Sequence, residues 1–568
     1  EQDERGAESV DTGTTEGEEE SSSAEEEGKV STDSAATCVE CHGLFERRSC
    51  GFGSDDKGAD WPGNFKAEHA KSLENFVVSG RRPPWDEHNC PFGCGVTREV
   101  PFHRRKPKRT RDWKPDLNFE KYFDREFLKS RGWENFREEF SWTSKDDLCI
   151  LESLRFHAGR REQVRVNMRP PSIKEVKKVL AFVEKAYSAA RPFVKLELDP
   201  DTFMDCLKHV DMNSSPGWPW KEHYKTNKEL FLKEDGSFDL NSLMMVYDEV
   251  EERLEVLKEK PIADDINVFV KDELHKKSKI DSGAFRLISS VSITDTIVDR
   301  ILFGQFFDKC YTYEGFSQTP NKAGWTPYKG GYKWLAKRHN RGMRLFADKS
   351  SWDWTMMAWV AYVLSELMVR FCGFNDRVRM NQIRNRMIAL FSEPVFNVGG
   401  WLRFAQALAG LMKSGCLGTI IWNGIAQVAL HALAEIRRVG VVKDAPDVIG
   451  DDTTQAAMEA IEEYILYLNQ AGCIARDYHT SDLKKGGKID FAGHMFDFNE
   501  SLPSYGKKHM GCLYETSEFK LEQLESYMRL YAFDEEVYKR IASWVHDLGG
   551  RVYSRDFLID WYNGDHDE

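Results

Sequence analysis

The 568-residue sequence contains no run of twenty apolar residues free of polar interruption, and no stretch laid out like a signal peptide. Both absences argue against a membrane-spanning or secreted chain. Its most apolar stretch, around Leu417 to Ala434, carries Asn423, Gln427 and His431 and reads as a core helix. The 12 cysteines are scattered through the chain, so a disulfide framework is not expected and a reducing compartment is. Net positive charge is also missing: the formal charge is -14. Residues 1–36 hold thirteen acidic groups against two basic ones, which accounts for eleven of those fourteen charges. The body is therefore near neutral, and its local basic stretches can still face phosphates. Residues 1–36 have almost no large apolar side chains and cannot bury enough surface to offset their ordering entropy, so disorder is expected there. The length implies several subdomains, and the expectation is a soluble intracellular protein.

What is present begins with cysteine pairs. Cys38-Val-Glu-Cys41 and Cys90-Pro-Phe-Gly-Cys94 could hold one tetrahedral zinc, with Cys50, His42 and His88 as spare donors; reduced surface thiols are the alternative. The basic run Arg104 to Arg111 reads as an RNA-binding arm or a solvated linker. Ser172-Ile-Lys-Glu175 is a capping box opening an amphipathic helix. Asn213 to Trp220 is too rich in Pro and Gly for a regular element, and a further helix is expected over Leu240 to Leu257.

Four stretches carry candidate chemistry. Val268 to Ile288 reads as two strands joined by a basic turn, a ribbon whose Lys271, Lys279 and Arg286 could grip a triphosphate. Leu345-Phe-Ala-Asp348 is a short apolar strand ending in a carboxylate, with Asp353 five residues on. Ser414-Gly415 opens a loop into a helix that places Thr419 and Asn423 one turn apart on one face. Gly450-Asp451-Asp452 reads as a strand entering a tight hairpin with two carboxylates side by side, a pair that a hard cation would relieve. A helix is expected next, over about Ala456 to Asn469.

In this order and at these separations the pieces resemble motifs F, A, B and C of a viral RNA-dependent RNA polymerase. Lys271-Asp-Glu-Leu, Lys279 and Arg286-Leu-Ile are similar to motif F of the picornavirus type, although His275 stands where that group often has Arg and Ala284 where it often has Lys. Ser214 to Gly217 resembles motif G, and Phe491-Ala-Gly-His494 resembles motif E. That Phe-x-x-His form, with Gly132-Trp133-Glu134 and Trp142, looks like the sobemovirus, polerovirus and barnavirus group.

The resemblance implies an α+β right-hand polymerase fold, in which an antiparallel palm sheet is flanked by helices, behind the disordered acidic tail. Its expected divisions are a Cys-bearing leader over 37–112, fingers over 113–335 and 370–400, palm over 336–369 and 401–495, and thumb over 496–568. It implies RNA-directed RNA synthesis by nucleotidyl transfer, with Asp348, Asp451 and Asp452 as catalytic metal ligands for two Mg²⁺ ions that Mn²⁺ can replace. Lys484 would be the general acid, with Lys485 or Arg476 as alternatives. Asp353, Ser414, Thr419 and Asn423 would select the NTP sugar, and Lys271, Lys279 and Arg286 would bind the triphosphate. Ser214, Gly217, Gly415, Phe491 and His494 would contact template or primer. The implied partners are RNA template, nascent RNA, NTPs, a genome-linked protein and other viral replication proteins, at replication complexes in the host cytoplasm. A reverse transcriptase-like polymerase, and a genome-linked priming module fused at the N-terminus, are the competing readings.

Overall fold

The computed structural model describes residues 95–96 and 106–565, apart from 401, 407 and 408. The acidic stretch 1–36 and the zinc alternative at Cys38, Cys41, Cys90 and Cys94 lie outside the described residues. Among the described residues no helix is long and apolar enough to cross a membrane.

Four antiparallel strands stand in the order Ala475–Ser481, Arg344–Lys349, Asp452–Ala456 and Asp447–Ile449. Leu345, Phe346 and Ala347 are all buried, so this strand is covered on both faces, which suits an unbroken apolar run. Helices Thr419–Val439, Ile461–Gly472 and Ile173–Ala186 contribute to the large core beside it. The last of these opens on the expected capping box: Ser172 caps the Glu175 amide, and the Glu175 carboxylate caps the Ser172 amide. Helix Leu240–Val256 also matches its expected range. The helix expected from Ala456 begins instead at Ile461. Residues 454–456 pair with 346–344, a long-range contact that overrides local pattern.

A second sheet orders Gly95–Val96, Leu402–Ala405, Val395–Val398, Ile266–Val270 and Leu287–Ser290. It corrects the expected ribbon. Strands 266–270 and 287–290 do pair antiparallel, but the basic residues between them are not a turn. Leu274–Lys276 is a strand paired with Phe140–Trp142, and Lys277–Asp281 is a short helix. Strands 395–398 and 402–405 pair as a hairpin in this sheet, across the expected break at 400.

The chain's outer segments share a separate core. Phe119, Phe123, Phe127 and Phe136 pack with Leu513, Met528 and Trp544 from the C-terminal helices. Tyr122 stacks on Trp544 at 4.9 Å, and the Asp116 amide donates to the Tyr514 carbonyl at 2.7 Å. Residues 113–139, expected with the fingers, are thus bound to 506–563. The described end of the basic run is docked rather than solvated. Arg109 holds Glu152 at 2.8 Å, and Arg111 pairs with Glu515 at 2.5 Å while lying over the Trp142 ring.

Buried ion pairs join helices Leu240–Val256, Ile293–Tyr311 and Arg377–Phe391. Arg386, with no exposed side chain, grips Asp299 through two bonds of 2.6 and 2.9 Å, and Arg253 holds Asp295 at 2.5 Å and Asp264 at 2.8 Å. Removing one member strands a buried charge, at a cost of about 3–5 kcal/mol, whereas apolar replacement of both is far milder. Arg386→Met should therefore lower the melting temperature sharply, and Arg386→Met with Asp299→Leu should recover most of the loss in a calorimetric scan.

Candidate active site

The hairpin forms as expected. Asp452 pairs with Ile449, leaving Gly450 and Asp451 as a two-residue connection. Gly450 has φ +61°, and an added Cβ would meet nothing within 4 Å, so the left-handed backbone and not space demands glycine. The far edge of the hairpin is clamped by 320–322: the Val448 amide donates to the Pro320 carbonyl at 2.9 Å, and the Lys322 amide to the Val448 carbonyl at 2.7 Å. At its base Asp447 is buried among Arg338 (2.7 Å), Lys322 (3.1 Å) and His339 (3.2 Å). Burial alone would raise the Asp447 pKa, but Lys322, His339 and Arg338 hold the carboxyl far below the usual carboxylate range.

The 344–349 strand lies beside this hairpin with Thr454 opposite Phe346. Continuing that register sets Asp348 across from Asp452, on the same face of the sheet. Carboxylates crowd this edge. Burial, then Asp353 and Asp348, raise Asp451, which water still reaches along its turn. Burial, then Asp451 and Asp348, push Asp452 up to about 7, with Asp490 adding to the repulsion.

Asp353 sits in the short helix Trp352–Thr355, where burial raises its carboxyl. Asn423 Nδ2 donates to Asp353 Oδ1 at 3.1 Å, and the Ser414 hydroxyl donates to Oδ2. Trp352 Nε1 donates to Asn423 Oδ1 at 2.8 Å, which turns the Asn423 amide toward Asp353. Three of the four expected sugar-reading residues thus form one hydrogen-bonded set. Thr419 does not join it: its hydroxyl turns back to the Lys413 and Cys416 carbonyls, both at 2.8 Å, and shapes the loop instead. Gly415 has φ +143°, and a Cβ there would stand 2.8 Å from the Ser289 carbonyl, so the loop leans directly on strand 287–290.

Two of the expected triphosphate cations are organised by a residue that was not singled out. Glu273 pairs with Arg286 at 2.8 Å, Lys508 at 3.1 Å and Lys271 at 3.7 Å. Burial opposes them, but Arg286, Lys508 and Lys271 bring Glu273 down to about 2. Arg286 also feels Asp451 and Asp353, and Lys279 feels Asp348, so both cations border the acidic edge. His275 is a clamp: its Nε2 accepts from the Arg286 amide at 3.0 Å, so Nδ1 donates to the Glu273 carbonyl at 2.9 Å. Burial lowers its pKa, in keeping with a neutral ring.

The remaining expected residues are more dispersed. The Ser214–Gly217 loop packs at the start of helix Ile293–Tyr311, where the Ile293 amide donates to the Pro216 carbonyl at 2.8 Å. Phe491 is buried 6.0 Å from the Trp325 ring, and His494 Nδ1 lies 3.0 Å from the Ala492 carbonyl in the next hairpin. Lys484 is exposed on the turn Leu483–Lys485, and no described contact joins its ammonium to the carboxylates. Sequence reading also passed over Lys349. Its amine donates to the Ala347 carbonyl at 2.9 Å and to Thr453 Oγ1 at 2.6 Å beneath the acidic edge. Burial pulls it down to about 8, against the attraction of Cys473, Asp451, Asp452 and Asp348. Its signal was only its place directly after Asp348.

Asp348, Asp451 and Asp452 are hard oxygen donors held together against their repulsion, and no described cation pairs with any of them. Among the described residues no three His, Cys, Asp or Glu side chains close around a metal by themselves. An open carboxylate edge of this kind fits Mg²⁺, which keeps waters and takes one or two carboxylates alongside phosphate oxygens.

The family model for viral RNA-dependent RNA polymerase matches residues 175–441, a stretch that holds Arg286, Asp348, Asp353, Ser414 and Asn423. Over that stretch, a little under half of its length, the chain is similar to the viral RNA-dependent RNA polymerases. The curated proteins it matches include replicase polyproteins of plant viruses. It is 24% identical over 381 residues to replicase polyprotein P2AB of Southern bean mosaic virus, covering 63% of this chain and 37% of that one. It is 27% identical over 307 residues to P2AB of Cocksfoot mottle virus, covering 49% and 31%, and 24% identical over 364 residues to protein P1-P2 of Potato leafroll virus, covering 57% and 33%. The chain spans about a third of the length of these curated relatives.

The Asp447 cluster gives a pH prediction. Its depressed pKa contributes stability that is present above the unfolded value, about 3.9, and is lost as pH falls toward the folded one. The gap in melting temperature between the protein and Asp447→Asn should be widest near neutrality and shrink as pH drops below about 4.

Proposed function

We propose that the chain is an RNA-directed RNA polymerase that copies a positive-strand viral genome, transferring NMP from NTPs to an RNA 3′-hydroxyl. The observation that supports this best is the Asp353–Ser414–Asn423 set beside the Asp348–Asp451 edge: a polar reader for one hydroxyl next to a carboxylate donor set. In this reading Asp348 and Asp451 hold the divalent ions, and Asp452 assists them or secures the turn. The ions, two Mg²⁺ or Mn²⁺ in their place, would supply charge neutralisation at the attacking and leaving oxygens. Arg286, Lys271 and Lys279 draw the triphosphate against the same edge, so that catalysis is mainly positioning. Asn423 and Asp353 bind the ribose 2′-hydroxyl. Lys484 has no part that the geometry supports. A template channel and primer contacts at Ser214, Gly217, Gly415, Phe491 and His494 complete the reading. RNA, NTPs, a genome-linked protein and other replication proteins are the proposed partners, in host cytoplasmic replication complexes.

A reverse transcriptase-like reading has less support, because excluding a 2′-hydroxyl calls for bulk, and here the side chains offered are Asn423 and Asp353. A polar pair built for that hydroxyl is left unsatisfied by a deoxynucleotide, which rejects it.

Asp451→Asn should reduce template-directed NMP incorporation by on the order of a thousandfold or more, with the melting temperature retained or raised. Incorporation near the parent rate would sink the metal-ligand assignment. Asn423→Ala should weaken discrimination against dNTPs by about tenfold or more, read from the ratio of kcat/KM for NTP and dNTP. An unchanged ratio would remove the sugar-reading role.

A further inference from the structure

Adjacent residues of a strand point to opposite faces. Asp348 therefore faces the acidic cleft and Lys349 faces the core directly beneath it. The Lys349 side chain is buried, with 4% of the residue exposed, and it has two oxygen partners on two strands. One is the Ala347 carbonyl, immediately before Asp348; the other is the Thr453 hydroxyl, immediately after Asp452. The Thr453 hydroxyl also lies 3.3 Å from the Ala347 carbonyl, so the three groups form one small network. Neither partner is a carboxylate. The amine thus bridges the two backbone stretches that carry the acidic edge without occupying the oxygens that would take a cation.

We propose that Lys349 is a positioning residue with two effects: it ties strand 344–349 to the hairpin at the level of the carboxylates, and its fixed charge moderates how tightly they take a divalent cation. The proposal rests on the metal-binding reading of the cleft. Its first effect is geometric: Ala347 and Thr453 are each one residue from a carboxylate, so the bridge sets the separation of Asp348 from Asp452. Its second effect is Coulombic: a unit positive charge under the cluster offsets part of the mutual repulsion of the empty site and opposes an arriving divalent ion. In that reading the carboxylates would have to take up and give up a divalent cation at each turnover, so a moderated affinity would serve the reaction better than a tight trap.

The full chain carrying Lys349→Gln or Lys349→Met separates the two effects. Gln retains hydrogen bonding to Ala347 and Thr453 without charge, whereas Met removes both. Mn²⁺ binding is read from loss of the free-ion paramagnetic resonance signal, and melting is followed with and without Mn²⁺. Both variants are expected to bind Mn²⁺ about tenfold more tightly than the parent and to show a larger Mn²⁺-induced rise in melting temperature. At saturating Mn²⁺, NMP incorporation should fall further in Lys349→Met than in Lys349→Gln. Unchanged Mn²⁺ affinity in Lys349→Gln, with only the metal-free melting temperature lowered, would overturn the proposal and leave a structural plug. Should Lys349→Met fail to fold, Lys349→Gln alone decides. Asp451→Asn is the control: if it weakens Mn²⁺ binding while the Lys349 variants do not change it, the proposal alone fails. If Asp451→Asn leaves binding untouched, the metal-site reading falls, and the proposal falls with it.

Discussion

Asp348, Asp451 and Asp452 stand at one edge of a four-stranded sheet, with Asp353 and Asp490 close enough to add to their repulsion. Like charges at such range destabilise the metal-free fold unless something holds them, and much of the surrounding structure can be read as what holds them. The hairpin that carries two of them is fixed from outside by the 320–322 segment and from below by Asp447 with its basic neighbours. The strand that carries the third is buried on both faces and covered by helices. A buried ammonium joins the two strands underneath, and cations arranged by Glu273 border the cleft from the side.

These supports come from separate parts of the chain. The Ser414–Gly415 loop leans on strand 287–290, which directly follows Arg286, so the proposed sugar reader and one proposed phosphate contact share a wall. Asn423 is aimed by Trp352, next to the carboxylate it binds. The segment before residue 140 is packed against the C-terminal helices. That packing ties together elements which would otherwise meet only through the chain between them, and it buries the aromatic rings concentrated at both ends of the described chain.

Much of the proposed site was legible from residue types and spacing. Gly450-Asp451-Asp452 announces a tight turn, because glycine is required there by a left-handed backbone. Ser172 and Glu175 announce a helix start by their reciprocal caps. The structure brings Asp353, Ser414 and Asn423 into one hydrogen-bonded set, whereas Thr419, on the same helix face as Asn423, turns its hydroxyl to nearer carbonyls in its own loop. The ribbon was misread in its middle, since whether a basic stretch turns, pairs or coils depends on a partner strand at 140–142 far away in sequence.

By itself, then, the sequence determined the local turns and caps, the apolar strands, and the identity of the carboxylates, cations and amide proposed to bind ions and nucleotide. These depend on backbone freedom, short-range hydrogen bonds and chemical type, all of which are local. Tertiary structure alone decided which face each residue presents. Asp348 and Lys349 are neighbours in the chain, yet one faces the cleft and the other lies buried under it, bonded to Thr453. Strand alternation fixes that they diverge, but only the packing of the helices against one side of the sheet fixes which of the two is covered.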